Sequence, residues 1–269
     1  MTEDRAAKPD SQARPPSRSD DSGRRGPDIS VVISARDEAE ALSGLIAEVH
    51  AALAGRDHEV VVVDDGSGDR TPDLMARLAG ADPRLVCVRH RVSLGQSAAV
   101  YSGVRQARGR LVATLDGDGQ NDPRHIPELI EHLDDPGVGL VAGQRLGRRD
   151  TGAKRVASRV ANGVRAALLR DGTRDTGCGL KAFRRETFLQ LPYFDSMHRF
   201  LPALFLADGW RIVHVDVCDR PRQHGQSHYG NLRRLLVGIP DLFGVWWLVR
   251  RRRRSPLRID RDARAERQR

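Results

Sequence analysis

Cysteine is scarce. Cys87, Cys178 and Cys218 are the only three in 269 residues, an odd number without C-x-x-C spacing. This argues against a disulfide framework or a zinc ribbon and suits a reducing compartment. The N-terminus lacks the apolar segment of a secretory leader, so no signal peptide is expected. Long hydrophobic runs are missing too. The apolar stretch in "LLVGIPDLFGVWWLV" is interrupted by Pro240 and Asp241. It falls short of the roughly 20 residues that a bilayer span requires. No second such segment completes a transmembrane hairpin, and no internal repeat is visible.

Three common motifs are also absent. The turn "ARDEAE" after the first apolar run lacks G-x-G-x-x-G, which excludes a dinucleotide Rossmann site. The stretch "DGDGQNDP" has Gln120 and Asn121 where an EF-hand needs Asp or Asn and then Gly. A phosphatase of the haloacid dehalogenase kind carries its D-x-D-G on the first strand, whereas here the motif follows the fourth.

The net charge of +9 is localised. Residues 250–269 hold ten arginines against Asp260, Asp262 and Glu266, a net of +7, and residues 1–27 carry +1. That leaves about +1 for the body of the chain. Basicity belongs to the tail, so nucleic-acid binding is a weak reading without a recognised fold beside it.

What is present is an alternation of short β-branched runs and helical patterns. Strands are predicted at "ISVVIS", "HEVVVVDD", "RLVCVRH", "GRLVATLD", "GVGLVAGQR" and "WRIVHVDV". Helices are predicted at 38–53, where Leu42, Leu45, Ile46, Val49 and Leu53 recur at helical spacing, and at 71–80, 96–108, 124–133, 156–170 and 199–209. The segment 171–186 reads as a loop. The order implies right-handed βαβ units, a mostly parallel sheet, and a ligand site outside the carboxyl ends of the strands. Acidic features fall there: Asp37 and Glu38, Asp64 and Asp65, then Asp116, Asp118 and Asp122.

The last group raises a question of energetics. Like charges crowded at the end of a buried strand raise one another's pKa and cost stability. Either a hard cation sits there, since Mg²⁺ takes one or two carboxylates plus substrate phosphates, or the loop is a solvated turn with Asx bonds. "VVVDDGSGDRT" offers a similar choice. Its carboxylates can accept bonds from a base or ribose while Gly66 admits a close ligand, or it is an ordinary loop with Asp69 or Thr71 capping a helix.

Together, "VVISARDEAEAL", "VVVDDGSGDRT", "LGQSAAVYSGVRQARG", "TLDGDGQNDP" and "DTGCGLKAFRRE" resemble the family 2 glycosyltransferases, in their order, over residues 29–230. The match is to the polyprenyl-phosphate, dolichol-phosphate mannose synthase-like branch. The resemblance implies an α/β GT-A fold, a nucleotide-sugar donor, Mg²⁺ or Mn²⁺, a polyprenyl phosphate acceptor and inverting transfer. It further implies that Asp116, Asp118 and Gln120 form the metal side. Ser34, Glu38, Asp64, Asp65 and Asp116 would bind the donor. Asp118, Asp175 and Arg145 would be catalytic, and Arg155, Ser158, Arg222, Ser227 and His228 would receive the acceptor phosphate. Ser34 and Arg36 stand where the family has Pro and Tyr, a change that bears on base stacking. His228 replaces a lysine, and histidine is only partly charged at neutral pH.

The expected organisation is a disordered lead (1–27), a GT-A domain (28–230), a membrane-interface helical segment (231–254) and a basic tail (255–269). Trp246, Trp247 and five successive arginines suit a membrane interface, and the same segment packed on the domain is the alternative. The expected location is peripheral, on the cytoplasmic face of the plasma membrane. A saccharide acceptor, a phosphatase and a non-enzymatic adaptor are the rival functions.

Overall fold

The computed structural model describes residues 26–146, 163, 165, 167–220 and 231–251. Among them are β1 (Ile29–Ala35), α1 (Ala39–Ala52), β2 (His58–Asp64), α2 (Thr71–Ala81), β3 (Leu85–Arg89), α3 (Gln96–Gln106) and β4 (Leu111–Asp116). There follow α4 (Ile126–Glu131), β5 (Val138–Arg145), β6 (Lys181–Arg184), α5 (Arg185–Leu189), α6 (Leu201–Ala207), β7 (Arg211–Val217) and α7 (Asn231–Arg251).

The strands form one sheet in the order β3-β2-β1-β4-β6-β5-β7. Period-two alternation explains how valine-rich strands fill both faces. Val31, Ile33, Val60 and Val62 pack toward the helix-spaced Leu42, Leu45, Ile46 and Val49 of α1. Val32, Val61 and Val63 pack toward Ala99, Val100 and Val104 of α3 and toward Phe188 and Phe205.

Among the described strands only β6 runs against its neighbours, antiparallel to both β4 and β5. This four-residue strand lies in the segment read as a loop from sequence. Its ends are Lys181 and Arg184, which do not look like core residues. Each charge is carried by backbone carbonyls: Lys181 Nζ donates to Cys178 O, and Arg184 donates to Val138 O at 3.1 Å and Leu133 O at 2.5 Å. The helix expected at 124–133 is shorter, with α4 flanked by 3₁₀ turns at Pro123–His125 and His132–Asp134.

Two antiparallel steps restore direction, so β5 runs parallel to β4. The carboxyl ends of β1, β2, β3, β4 and β5 therefore share one edge, where the acidic features lie. α7 runs through Pro240 rather than starting there. The ring removes one bond of a helix whose far end is held by packing: Val245, 2% exposed, meets Leu169, Phe200 and Ala203. No helix among the described residues is long and apolar enough to cross a membrane.

Candidate active site

The loops after β1 and β2 are sewn together. Asp37 has φ of 57°, a left-handed conformation rare outside glycine. It is held by both ends: its N–H donates to Ser67 Oγ at 2.9 Å and its Oδ1 accepts from Gly68 N at 2.8 Å. Glu38 N donates to Thr71 Oγ1 at 3.1 Å, and Asp69 Oδ2 accepts from Ala39 N at 3.3 Å. Asp69 thus bridges two helix starts. Ser34, one residue before the end of β1, pairs with Val63 on one side and Asp116 on the other.

The acidic pair after β2 divides its labour. Asp64 is fully buried; its Oδ1 accepts from Ser67 N at 2.9 Å and its Oδ2 lies 3.2 Å from Arg89 Nε. Asp65 accepts four bonds from the segment before α3, from His90 Nδ1, Ser93 Oγ, Leu94 N and Gly95 N, all at 2.8–2.9 Å. Burial alone would raise its pKa, but the His90 bond and the others outweigh that and lower it. His90 Nε2 meets Ser102 Oγ at 2.9 Å, so the ring ties Asp65 to α3. Gly66, with φ of 70°, serves this loop as well. A Cβ there would stand 2.6 Å from Val92 C and Ser93 N, so the close approach foreseen for a ligand is made by the chain's own backbone.

Around the end of β4, Asp116 feels the charges of Asp118, Lys181, Arg145 and Asp219, and Asp219 those of Arg145, Asp118 and Asp175. Asp116 Oδ1 accepts from Gln96 Nε2, the first residue of α3, at 2.5 Å. Gly179 leaves the space that Asp116's carboxyl fills. Asp118 Oδ1 accepts from Gln120 N at 3.1 Å. Arg145, ending β5, grips Asp175 with two prongs and lies 3.6 Å from Asp219 Oδ2. Asp219 is brought in by an isolated β-bridge to Asn121, and the neighbouring Arg220 N donates to Gln120 O at 2.8 Å.

Burial and then Asp118 raise the Asp116 pKa to about 6, and burial raises Asp219. Burial would lower Arg145, but the Asp175 hydrogen bonds and charge outweigh it and raise it. Burial lowers Lys181. Asp116, Asp118 and Asp219 thus gather carboxylate oxygens beside Gln120 at the carboxyl edge of the sheet. An all-oxygen set of this kind suits a hard divalent cation. No group of three or more His, Cys, Asp or Glu side chains among the described residues makes a ready cage. Substrate phosphates would have to complete the coordination.

The structure thus brings Asp116, Asp118, Gln120, Arg145 and Asp175 together, with Ser34, Glu38, Asp64 and Asp65 along the same edge. Arg155, Ser158, Arg222, Ser227 and His228 lie outside the described residues. Sequence reasoning passed over Gln96, Lys181 and Asp219. Gln96 had a signal, since it sits in the "LGQSAAVYSG" motif at a helix start. Asp219 had none beyond following a strand.

A mostly parallel sheet with one reversed strand and a D-x-D turn at its carboxyl edge defines a GT-A nucleotide-sugar transferase fold. The family model for glycosyl transferase family 2 matches residues 30–191. The dodecaprenyl-phosphate galacturonate synthase of Rhizobium johnstonii is 34% identical over 229 residues, covering 83% of this chain and 68% of that protein. An undecaprenyl-phosphate 4-deoxy-4-formamido-L-arabinose transferase of Edwardsiella ictaluri is 35% identical over 218 residues, covering 80% and 66%. The chain thus spans about two thirds of the length of these relatives. Glucosyl-3-phosphoglycerate synthase from Mycobacterium tuberculosis, solved with Mn²⁺, UDP and glucosyl-3-phosphoglycerate, superposes with a TM-score of 0.63 at 22% identity, covering 83% of this chain and 80% of that one. That likeness is one of fold. The chain belongs to glycosyl transferase family 2.

Proposed function

We propose that this enzyme transfers a sugar from a nucleoside-diphosphate sugar to a polyprenyl phosphate, with inversion, producing a lipid-linked sugar for cell-envelope modification. The observation that carries the reading is the carboxylate cluster of Asp116, Asp118 and Asp219 at the carboxyl edge of the sheet. The relatives named above, both polyprenyl-phosphate glycosyl transferases by name, support the acceptor class.

Asp116 and Asp118, with Gln120 beside them, would hold Mg²⁺ or Mn²⁺ against the donor diphosphate. When bound, such a cation supplies positive charge to the departing nucleoside diphosphate. Gln96 fixes the Asp116 carboxyl by its hydrogen bond. Ser34 and Glu38 line the nucleoside side, and the buried Asp64 and Asp65 act there through the loops that they hold. The acceptor is a phosphate monoester whose second pKa lies near 6, so it arrives as an anion and needs no strong base. Asp175 accordingly orients Arg145 rather than taking a proton, and Arg145 would receive the incoming phosphate, a role that the family resemblance extends to Arg155, Ser158, Arg222, Ser227 and His228. A single displacement inverts the anomeric carbon. The helical segment 231–254 would keep the enzyme on the cytoplasmic face of the membrane, where its acceptor resides.

The test is incubation with labelled nucleotide sugars, Mg²⁺ or Mn²⁺, and polyprenyl phosphate. An organic-soluble labelled product with release of nucleoside diphosphate is expected. Transfer to a water-soluble saccharide instead would overturn the acceptor.

A further inference from the structure

The loop between β3 and α3 is built to hold apolar side chains in water. Val92 is 64% exposed and Leu94 56%. Neither is free to fold inward. Asp65 binds the loop from Ser93 Oγ, Leu94 N and Gly95 N, and Asp64 O accepts from His90 N at 2.9 Å. Arg36 Nη1 adds a bond to Ser93 Oγ at 3.0 Å. The backbone at 92–93 lies against Gly66. An ordinary solvent loop needs no such clamp, and apolar side chains gain nothing from water.

The neighbours of these side chains are basic. Arg91 is exposed, and the Arg89 side chain is 62% exposed. Basic and apolar residues alternating on a rigid tip match the polar and acyl layers of an anionic lipid surface. The tip follows the carboxyl end of β3, on the edge that carries Asp116 and Asp118. Leu146, 57% exposed, follows β5 on the far side of the same carboxylates.

We infer that the 91–94 tip is a second membrane contact, separate from α7, which sets the carboxylate edge against an anionic bilayer so that a lipid phosphate can reach it. The inference rests on the lipid acceptor proposed above. A surface-bound enzyme tethered only by one helix could present any edge to the lipid, whereas a contact beside the site selects one.

The experiment uses the full chain with Val92→Ser and Leu94→Ser combined, and separately with Arg91→Ser. Flotation with vesicles containing phosphatidylglycerol should show apparent partitioning reduced about tenfold or more by the double change. With undecaprenyl phosphate in those vesicles KM should rise similarly. The melting temperature should stay as in the parent, and any change with a short water-soluble isoprenyl phosphate should be several-fold smaller than the change with vesicle-borne undecaprenyl phosphate. Unchanged flotation overturns the inference. So does an equal loss with both acceptors, which would place the tip in the reaction itself. Loss of a concentration-dependent dimer without any vesicle binding would assign the patch to a second copy and also overturn it. If neither acceptor takes sugar from any donor while flotation still depends on Val92 and Leu94, the surface stands and the proposed reaction fails.

Discussion

Arg145 and Asp175 form a two-pronged ion pair, Nε to Oδ2 at 2.6 Å and Nη2 to Oδ1 at 3.0 Å, across 30 positions of sequence. Each side chain is mostly buried, at 16% and 13% exposure. The guanidinium is thereby aimed before substrate arrives, with its third nitrogen, Nη1, 3.6 Å from Asp219 Oδ2. Lysine cannot reproduce a planar fork. Arg145→Lys should therefore lower kcat/KM for the acceptor by about tenfold or more, with little change in donor KM. Asp175→Ala should cost roughly 3 kcal/mol of stability, because it strands a buried cation. Urea unfolding and steady-state kinetics with each substrate varied separate the two effects. Equal loss for donor and acceptor would place Arg145 on the donor side.

Asp118 belongs to the carboxylate cluster without being its most buried member, so its replacement should spare the fold. Asp118→Asn should lose more than about tenfold in turnover, together with the Mn²⁺ dependence of nucleotide affinity measured by calorimetry. Gln96→Leu should weaken that same Mn²⁺ dependence, since it removes the amide that orients Asp116. Near-normal turnover of Asp118→Asn in excess EDTA would remove the metal from the mechanism.

Much of this arrangement was legible from residue order. Valine-rich runs alternating with helical patterns predict a parallel sheet, and the rule for such sheets puts Asp64 and Asp116 at one edge, as found, whereas Arg145 was expected only from the family resemblance. β6 was not legible, because Lys181 and Arg184 become core residues only when carbonyls receive them, Cys178 O for the first and the distant Leu133 O for the second. The work of Asp65 was hidden for a related reason. A sequence shows a carboxylate but not whether backbone amides or a ligand will occupy its lone pairs. Gln96 and Asp219 reach the site from 20 residues before Asp116 and from the end of β7, so only the folded topology joins them.

Asp65 yields a pH prediction. Its folded pKa is lowered, so its contribution is fully present above the free-aspartate value of about 4 and is lost as pH falls through the folded value. Asp65→Asn should be less stable by roughly 2 kcal/mol at pH 7, and the gap should close between pH 4 and lower values. Thermal melts of both proteins from pH 7 to 3 measure it. Because Asp65 holds the loop at the nucleoside edge, Asp65→Ala and Asp64→Ala should both weaken nucleotide binding rather than slow the chemical step. A gap that does not narrow at all as pH falls below 4 would mean that charge is not the reason.

The last prediction concerns α7, whose two faces serve different neighbours. Leu242, Val245, Trp246 and Val249 recur at helical spacing and pack on Leu169, Phe200 and Ala203. Phe243 and Trp247, one turn apart, point the other way and are 57% and 55% exposed. Arg250 lies over the Trp246 ring at 4.1 Å and Arg251 near the Trp247 ring at 5.7 Å. Packing on the domain and contact with a membrane are therefore compatible, one for each face. Deleting residues 240–269 would strip Val245 from the core and lower stability along with any membrane affinity. The discriminating change is Phe243→Ser with Trp247→Ser, which leaves the packed face intact. Melting temperature should hold within a few degrees, while flotation with anionic vesicles should fall. High salt should release part of the parent protein, because each basic residue near the surface contributes about 1 kcal/mol that salt screens. Should the double variant float as well as the parent at low salt, the aromatic face of α7 is not the anchor.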